Sequence, residues 1–268
     1  MKWSLAASRA TSVVPHILSE IPLLLYSPEL ERAMSDRYYN SNLVDYTEAR
    51  HQHAGLFPFE ESVLARYFPK PPAHLLLPGA GTGRELLVLL DRGYTVDAYE
   101  PVPAMADFAT GALDGRTVVQ RMTLQEWAER PSRRYDGIFT GWGMWTHINR
   151  HDDRVTTLRA MRDVCDHGPL FVSFLRREHV NFAFDGAPAG LEPLHPPPSG
   201  GAQRIRDLIR RRVLRREPIE RGITLNDGIF KHIATEAELR DEGEQTGWRL
   251  DHYSHDGTEY GHAVLLPA

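Results

Sequence analysis

The residues whose types and spacing carry the clearest chemistry are Gly79, Ala80, Gly81, Thr82 and Gly83, with Glu85 just after them and Glu100 about twenty positions beyond the turn. Glycines at alternate positions let the backbone bend sharply and approach a ligand closely. A helix that starts at such a turn presents unpaired amides and a partial positive charge, which suits an anionic group. A carboxylate at the tip of the next strand is placed to accept hydrogen bonds from a ribose diol. Glu85 reads either as a ligand contact or as an acid that favours a helix N-terminus. The spacing argues against two other nucleotide pockets. A dinucleotide fingerprint puts its third glycine where this chain has Arg84, and a triphosphate loop would end in Gly-Lys-Ser/Thr, which is missing.

A second group lies at Thr140-Gly141-Trp142-Gly143, running on to Trp145 and His147. The tryptophans follow the end of an apolar run, which suits pocket walls as well as core aromatics. His147 has the ordinary pKa of a general base near neutrality, although a residue starting a helix would read the same way. Histidines recur at 51, 53, 147, 151, 232, 252, 255 and 262. None forms H-E-x-x-H, and His51-Gln52-His53 lacks a third ligand beside it, so no metal is expected.

Several elements must position these groups. Between Ala73 and Leu175 short apolar runs alternate with helix-period segments, the pattern of a parallel sheet wrapped by helices. Strands are predicted at His74–Leu77, Thr95–Tyr99, Thr117–Val119, Gly137–Phe139 and Leu170–Phe174. Leu86, Leu87 and Leu90 face the sheet from the helix after the first strand. Val155, Leu158, Met161 and Val164 or Cys165 form one stripe of a later helix. Upstream, residues 36–68 read as helical pieces joined by a turn around Gly55-Leu56-Phe57-Pro58. Downstream, residues 181–201 are rich in Pro and Gly and read as a loop or lid. Residues 203–217 read as a basic helix, with Ile205, Leu208, Ile209 and Val213 docked on the core and arginines around the remainder. These arginines serve as a solvated face or as a dock for an acidic partner. Thr235 and Glu238 form a capping box for a helix reaching Gly247. Trp248–Tyr253 and His262–Leu266 then read as a hairpin at the sheet edge, with its turn near Asp256-Gly257.

The glycine turn, Glu85 and Glu100 together resemble the class I methyltransferases, whose first motif is G-x-G-x-G, commonly followed by an acid in the next helix. The resemblance covers roughly residues 67–175, more loosely the terminal hairpin. It implies an α/β, Rossmann-like fold: a seven-stranded, mostly parallel sheet with helices on both faces, an antiparallel C-terminal hairpin, an N-terminal helical cap and an inserted lid. It also implies S-adenosyl-L-methionine as cofactor and S-adenosylhomocysteine as product. The turn would pack on the methionyl and ribose parts, Glu100 with the adjoining Pro101 would bind the ribose, Met122 and Thr123 would meet the adenine, and Gly141 and Trp142 would face the methyl donor. Leu77 and Pro78 stand where many members have an acid two positions before the first glycine. The anchor for the cofactor's amino end is therefore expected from a carbonyl or from the N-terminal region. The acceptor walls are expected from Tyr38, Tyr39, Tyr46, His51, Phe57, Trp145 and His232, with His147 as catalytic base.

The division this implies is a cap over residues 1–68, a cofactor-binding core over 69–178, a lid over 179–231, and a C-terminal helix and hairpin over 232–268, all serving one catalytic unit. A chain of 268 residues has room for such a core, and its net charge of −5 argues against whole-surface attraction to nucleic acid or anionic lipid. No apolar run approaches the ~20 residues of a membrane span, and Ser8 and Arg9 interrupt anything resembling a signal peptide. The single cysteine, Cys165, excludes an internal disulfide, reads as a buried thiol and fits a reducing compartment. The expectation is a cytoplasmic enzyme that methylates an O or N nucleophile of a small molecule, in specialised metabolism, with a homodimer compatible with the sequence. A methyltransferase acting on a peptide, protein or RNA, or a non-catalytic S-adenosylmethionine-binding regulator, is the alternative.

Overall fold

The structure is a computed structural model, and it describes residues 22–48, 53–129, 133–175, 200–226, 228–254 and 260–268. Helices α1 (Pro28–Ser41), α2 (Leu43–Thr47) and α3 (Pro58–Tyr67) precede the sheet. The alternating region follows as β1 (His74–Pro78), α4 (Arg84–Asp91), β2 (Thr95–Tyr99), α5 (Pro103–Ala112), β3 (Val119–Gln120), α6 (Leu124–Glu129) and β4 (Gly137–Thr140). A 3-10 helix (Met144–His147), α7 (His151–Val164) and β5 (Leu170–Leu175) complete it. Next come α8 (Gly200–Ile209), running into a π-helical turn (Arg210–Leu214), and a hairpin of β6 (Ile223–Asn226) and β7 (Ile229–His232). The chain returns to the main sheet through α9 (Glu236–Glu244), β8 (Trp248–Ser254) and β9 (Tyr260–Pro267).

The seven strands lie in the order β3-β2-β1-β4-β5-β9-β8. β1 pairs in parallel with both β2 and β4, while β9 runs antiparallel between β5 and β8. The leucines of β1 explain why it sits in the middle. Leu76 belongs to the hydrophobic cluster on one face and Leu75 and Leu77 to that on the other, so alternating side chains are buried on both sides. The order reverses direction between β1 and β4, the switch point at whose carboxyl end open α/β sheets bind their ligands.

Most predicted elements are present, with informative differences. β3 is only Val119–Gln120, so Thr117 and Val118 do not pair in the sheet. In α4 the buried leucines are Leu86 and Leu89, with Leu87 and Leu90 partly buried against the same cluster. Leu158, Met161, Val164 and Cys165 are buried as expected of the α7 stripe. The basic helix docks the other way round from the expectation. Ile205, Leu208 and Val213 are exposed, whereas Arg206 and Arg210 are buried. The reason is hydrogen bonding: Arg210 Nη1 donates to the carbonyls of Leu23, Leu24 and Tyr26 and its Nε to that of Glu217, so a guanidinium takes up carbonyls at the end of a helical turn that an aliphatic side chain could not satisfy. The β6–β7 hairpin lies inside the segment expected to be a lid. The expected loop at 181–199 and the turn near Asp256-Gly257 fall outside the described residues.

Candidate active site

The glycine turn follows β1 with left-handed φ angles of +68° at Gly79, +55° at Gly81 and +94° at Gly83, a region that L side chains avoid. Each glycine faces something different. A Cβ at Gly79 would overlap the Met144 side chain, one at Gly83 would lie 3.3 Å from the Ala109 Cβ of α5, and one at Gly81 would meet nothing within 4 Å. The open side of the turn is thus at Gly81. Ala80 and Thr82 are buried, with Ala80 in the core and its amide bonded to the Tyr99 carbonyl at 2.9 Å.

Glu100 stands beside this turn, as the sequence predicts. Its Oε2 accepts from the Gly81 amide at 2.8 Å and its Oε1 from the Val102 amide at 2.9 Å. Burial nevertheless wins over these two bonds and raises its pKa to about 7. Pro101 is exposed, and the Met122 amide donates to the Glu100 carbonyl at 3.3 Å, which brings the segment after β3 up to the same acid. Thr123 caps α6 through a reciprocal pair with Glu126: its hydroxyl accepts from the Glu126 amide, and the Glu126 carboxylate accepts from the Thr123 amide.

On the other side of the switch point, β4 ends in Gly141-Trp142-Gly143. A Cβ at Gly143 would lie 2.6 Å from the Tyr260 ring, and Trp142 itself adopts a left-handed φ of +39°. A non-glycine residue held in that region is strained, and such strain concentrates at functional sites. Beneath this loop Arg84 and Glu85 join Glu60, a residue without a signal in the sequence, in one ionic cluster. Arg84 donates through Nη1 and Nη2 to the two carboxylate oxygens of Glu60, both at 2.8 Å, and through Nη2 to Glu85 at 2.5 Å. Glu60 comes from α3, where it also accepts from the amides of Phe57 at 2.8 Å and Trp142 at 3.2 Å. Glu85 is therefore one member of a buried cluster, and burial raises its pKa despite Arg84. The Arg84 guanidinium lies 4.3 Å from the Phe57 ring centroid and 5.1 Å from that of Trp142, close enough for cation–π attraction.

The expected acceptor wall assembles only in part. Tyr46 and Phe57 meet Trp142 edge-on at 6.4 Å and 5.9 Å, and Tyr39 packs against both Tyr38 and Tyr46. The Tyr39 hydroxyl is 3.0 Å from His147 Nε2. Burial, with the Lys231 ammonium nearby, holds the His147 pKa down to about 4, so the ring is neutral at physiological pH. α1 is held in place for this contact by Glu31, which accepts from Tyr26 and from the Asn149 side chain, each at 2.7 Å. Two expected wall residues lie elsewhere. Trp145 is fully buried in the main core, because the three-residue period of the 3-10 helix turns Trp145 and Thr146 inward and leaves Met144 and His147 partly exposed. His232 is buried on β7, and its neighbour Lys231 is the β7 residue that acts on His147. His51 falls outside the described residues. Among the described residues no group of three or more His, Cys, Asp or Glu side chains is placed to hold a metal ion, and no helix is long and apolar enough to cross a membrane.

No protein-family model matches the chain, and no curated protein matches its sequence. Solved structures do. The 1,6-didemethyltoxoflavin-N1-methyltransferase of Burkholderia thailandensis, with its substrate and S-adenosylhomocysteine bound, superposes with a TM-score of 0.58 at 16% identity, over 91% of each chain. The chain has the class I methyltransferase fold. The CcbJ methyltransferase of Streptomyces caelestis gives a TM-score of 0.57 at 16% identity, covering 86% of this chain and 98% of that one. Magnesium protoporphyrin IX methyltransferase of Synechocystis, with S-adenosylmethionine bound, gives 0.55 at 12% identity, covering 89% and 97%. Within this methyltransferase fold the glycine turn, Glu100 and the Gly141 loop all gather around the β1/β4 switch point.

Proposed function

We propose that this chain is an S-adenosylmethionine-dependent methyltransferase acting on an oxygen or nitrogen nucleophile of a small molecule. The observation that carries the reading is Glu100, fixed by the Gly81 amide at the open side of the glycine turn, where a ribose diol would find a carboxylate. The residues present fit the cofactor. Glu100 would hold the ribose, the Gly79–Gly83 backbone the sugar and methionyl chain, the segment at Met122 and Thr123 the adenine, and the Gly141-Trp142 loop the end nearest the acceptor. When bound, S-adenosylmethionine supplies an electrophilic methyl group and leaves as S-adenosylhomocysteine. The protein's remaining tasks are to align the acceptor, exclude water and remove a proton.

Tyr38, Tyr39, Tyr46, Phe57 and Trp142 form an aromatic surface suited to a planar acceptor, which favours a small molecule over a nucleic-acid groove. With its pKa held down to about 4, His147 is neutral but a weak base, suited to taking a proton from an acceptor already made acidic by methylation, and its contact to the Tyr39 hydroxyl fixes the ring orientation. Replacing His147 by Gln is expected to lower kcat by about a hundredfold or more while leaving the Kd for S-adenosylhomocysteine within about threefold. A parallel loss in both quantities would remove His147 from the role of base. The reading as a whole is tested by calorimetry with S-adenosylmethionine, S-adenosylhomocysteine and NAD, followed by a methyl-transfer assay against hydroxylated and aminated aromatic compounds. Binding of NAD in preference to the two sulfur compounds would overturn it.

A further inference from the structure

The buried cluster below the Gly141 loop does not balance its charges. Glu60, Glu85 and Arg84 have side-chain exposures of 0%, 7% and 2%, and among the described residues Arg84 is the one cation within ion-pair distance of either acid. With both acids ionised the cluster carries one excess negative charge in an environment where an uncompensated charge is costly. Its geometry shows which acid bears that charge. Both oxygens of Glu60 are engaged, by two guanidinium nitrogens and by the amides of Phe57 and Trp142. Among the described residues Glu85 takes only the Nη2 that Arg84 shares with Glu60 and the amide of its own residue, so it holds the weaker share of the cation.

The location is as informative as the charge. A Cβ on Gly141 would lie 2.5 Å from Glu85 Oε1 and 2.9 Å from Glu60 Oε1, so both acids press against this backbone position and a side chain there would have to displace them. Gly141 follows β4, the neighbour of β1, and so the excess negative charge lies at the carboxyl end of β4, beside the helix that starts from the turn after Leu77 and Pro78. No acid stands at position 77, and α3 delivers one to the same end of β1 from the cap.

We propose that Glu85, held in place by Arg84 and the cap residue Glu60, receives the α-ammonium of the cofactor and supplies the counter-charge that position 77 does not. The proposal rests on the S-adenosylmethionine reading. It makes the N-terminal cap part of the cofactor site, since Glu60 occupies the guanidinium that would otherwise neutralise Glu85.

The test compares S-adenosylhomocysteine with its deaminated analogue, S-adenosyl-4-thiobutyrate, by calorimetry on the full chain. The native protein is expected to prefer S-adenosylhomocysteine by roughly ten- to a hundredfold, the range of a charged hydrogen bond. Glu85→Gln is expected to lose most of that preference while binding the deaminated compound about as tightly as the native protein does. Glu60→Gln, which frees Arg84 to neutralise Glu85, is expected to reduce the preference too, and it decides the matter together with the native protein should Glu85→Gln fail to fold. A preference that survives both substitutions, or an absence of preference in the native protein, overturns the proposal. Failure of the native protein to bind either compound would instead overturn the cofactor reading on which it stands.

Discussion

Exchange of Glu100 for glutamine is expected to weaken S-adenosylhomocysteine binding by about a hundredfold or more at pH 8, because an amide cannot accept from the Gly81 and Val102 amides and from a diol at once. The native protein should show the same loss when acidified. Burial raises the Glu100 pKa from 4.5 to about 7, so the ionised form that a diol requires is depleted as pH falls below that value, by up to tenfold in affinity per pH unit. The sign for stability is opposite. A carboxylate whose folded pKa lies above its unfolded one stabilises the ligand-free fold most below pH 4.5, and this contribution is lost as pH rises toward 7. Calorimetric titrations of the native protein and Glu100→Gln at a series of pH values would separate the two effects. The native Kd should steepen below pH 7 and that of the variant should stay flat. A native Kd that does not move between pH 8 and pH 6 would remove Glu100 from the binding step.

Replacing Arg84 by methionine is expected to be the most destabilising single change at the switch point. It leaves Glu60 and Glu85 buried, close together and without a cation, a situation that costs about 3–5 kcal/mol. For a chain of this length that corresponds to a fall in Tm of about 10 °C. The deficit should narrow in acid. Burial and the proximity of Glu60 already raise the Glu85 pKa, and removal of the guanidinium raises it further, so protonation relieves the repulsion as pH falls. Thermal melts at pH 8 and pH 5 test both statements. A variant melting within about 2 °C of the native protein at pH 8 would show that the rings of Phe57 and Trp142, rather than the ion pairs, hold this corner together.

What was legible in the sequence was local. The β1 strand, its glycine turn and the Glu100 carboxylate lie within one strand-helix-strand unit, and glycine spacing and apolar runs specify such a unit without help from distant residues. The capping box of α9 is legible for the same reason, since Thr235 and Glu238 satisfy each other within one helical turn. Other features depend on tertiary partners. The apolar stripe of α8 has the right period for docking, yet the helix is anchored through Arg210 by carbonyls of residues almost two hundred positions away. Glu60 carries no local signal of function, and only the packing of α3 against the core brings it to Arg84. The β6–β7 hairpin did leave a trace, because Asn226-Asp227-Gly228 is turn chemistry between two apolar runs. Trp145 and His147 are separated by a two-residue step that a 3-10 helix turns to different sides, and the sequence around them does not distinguish that helix from an α-helical start.

The Gly141-Trp142-Gly143 stretch has a practical consequence for anyone wishing to redirect this protein to new compounds. A side chain at the first flanking position would displace the two carboxylates and one at the second would collide with the Tyr260 ring, whereas the indole between them points into the aromatic surface. A combinatorial library is therefore best concentrated on position 142 and its neighbours Tyr46 and Phe57, with both glycines kept fixed.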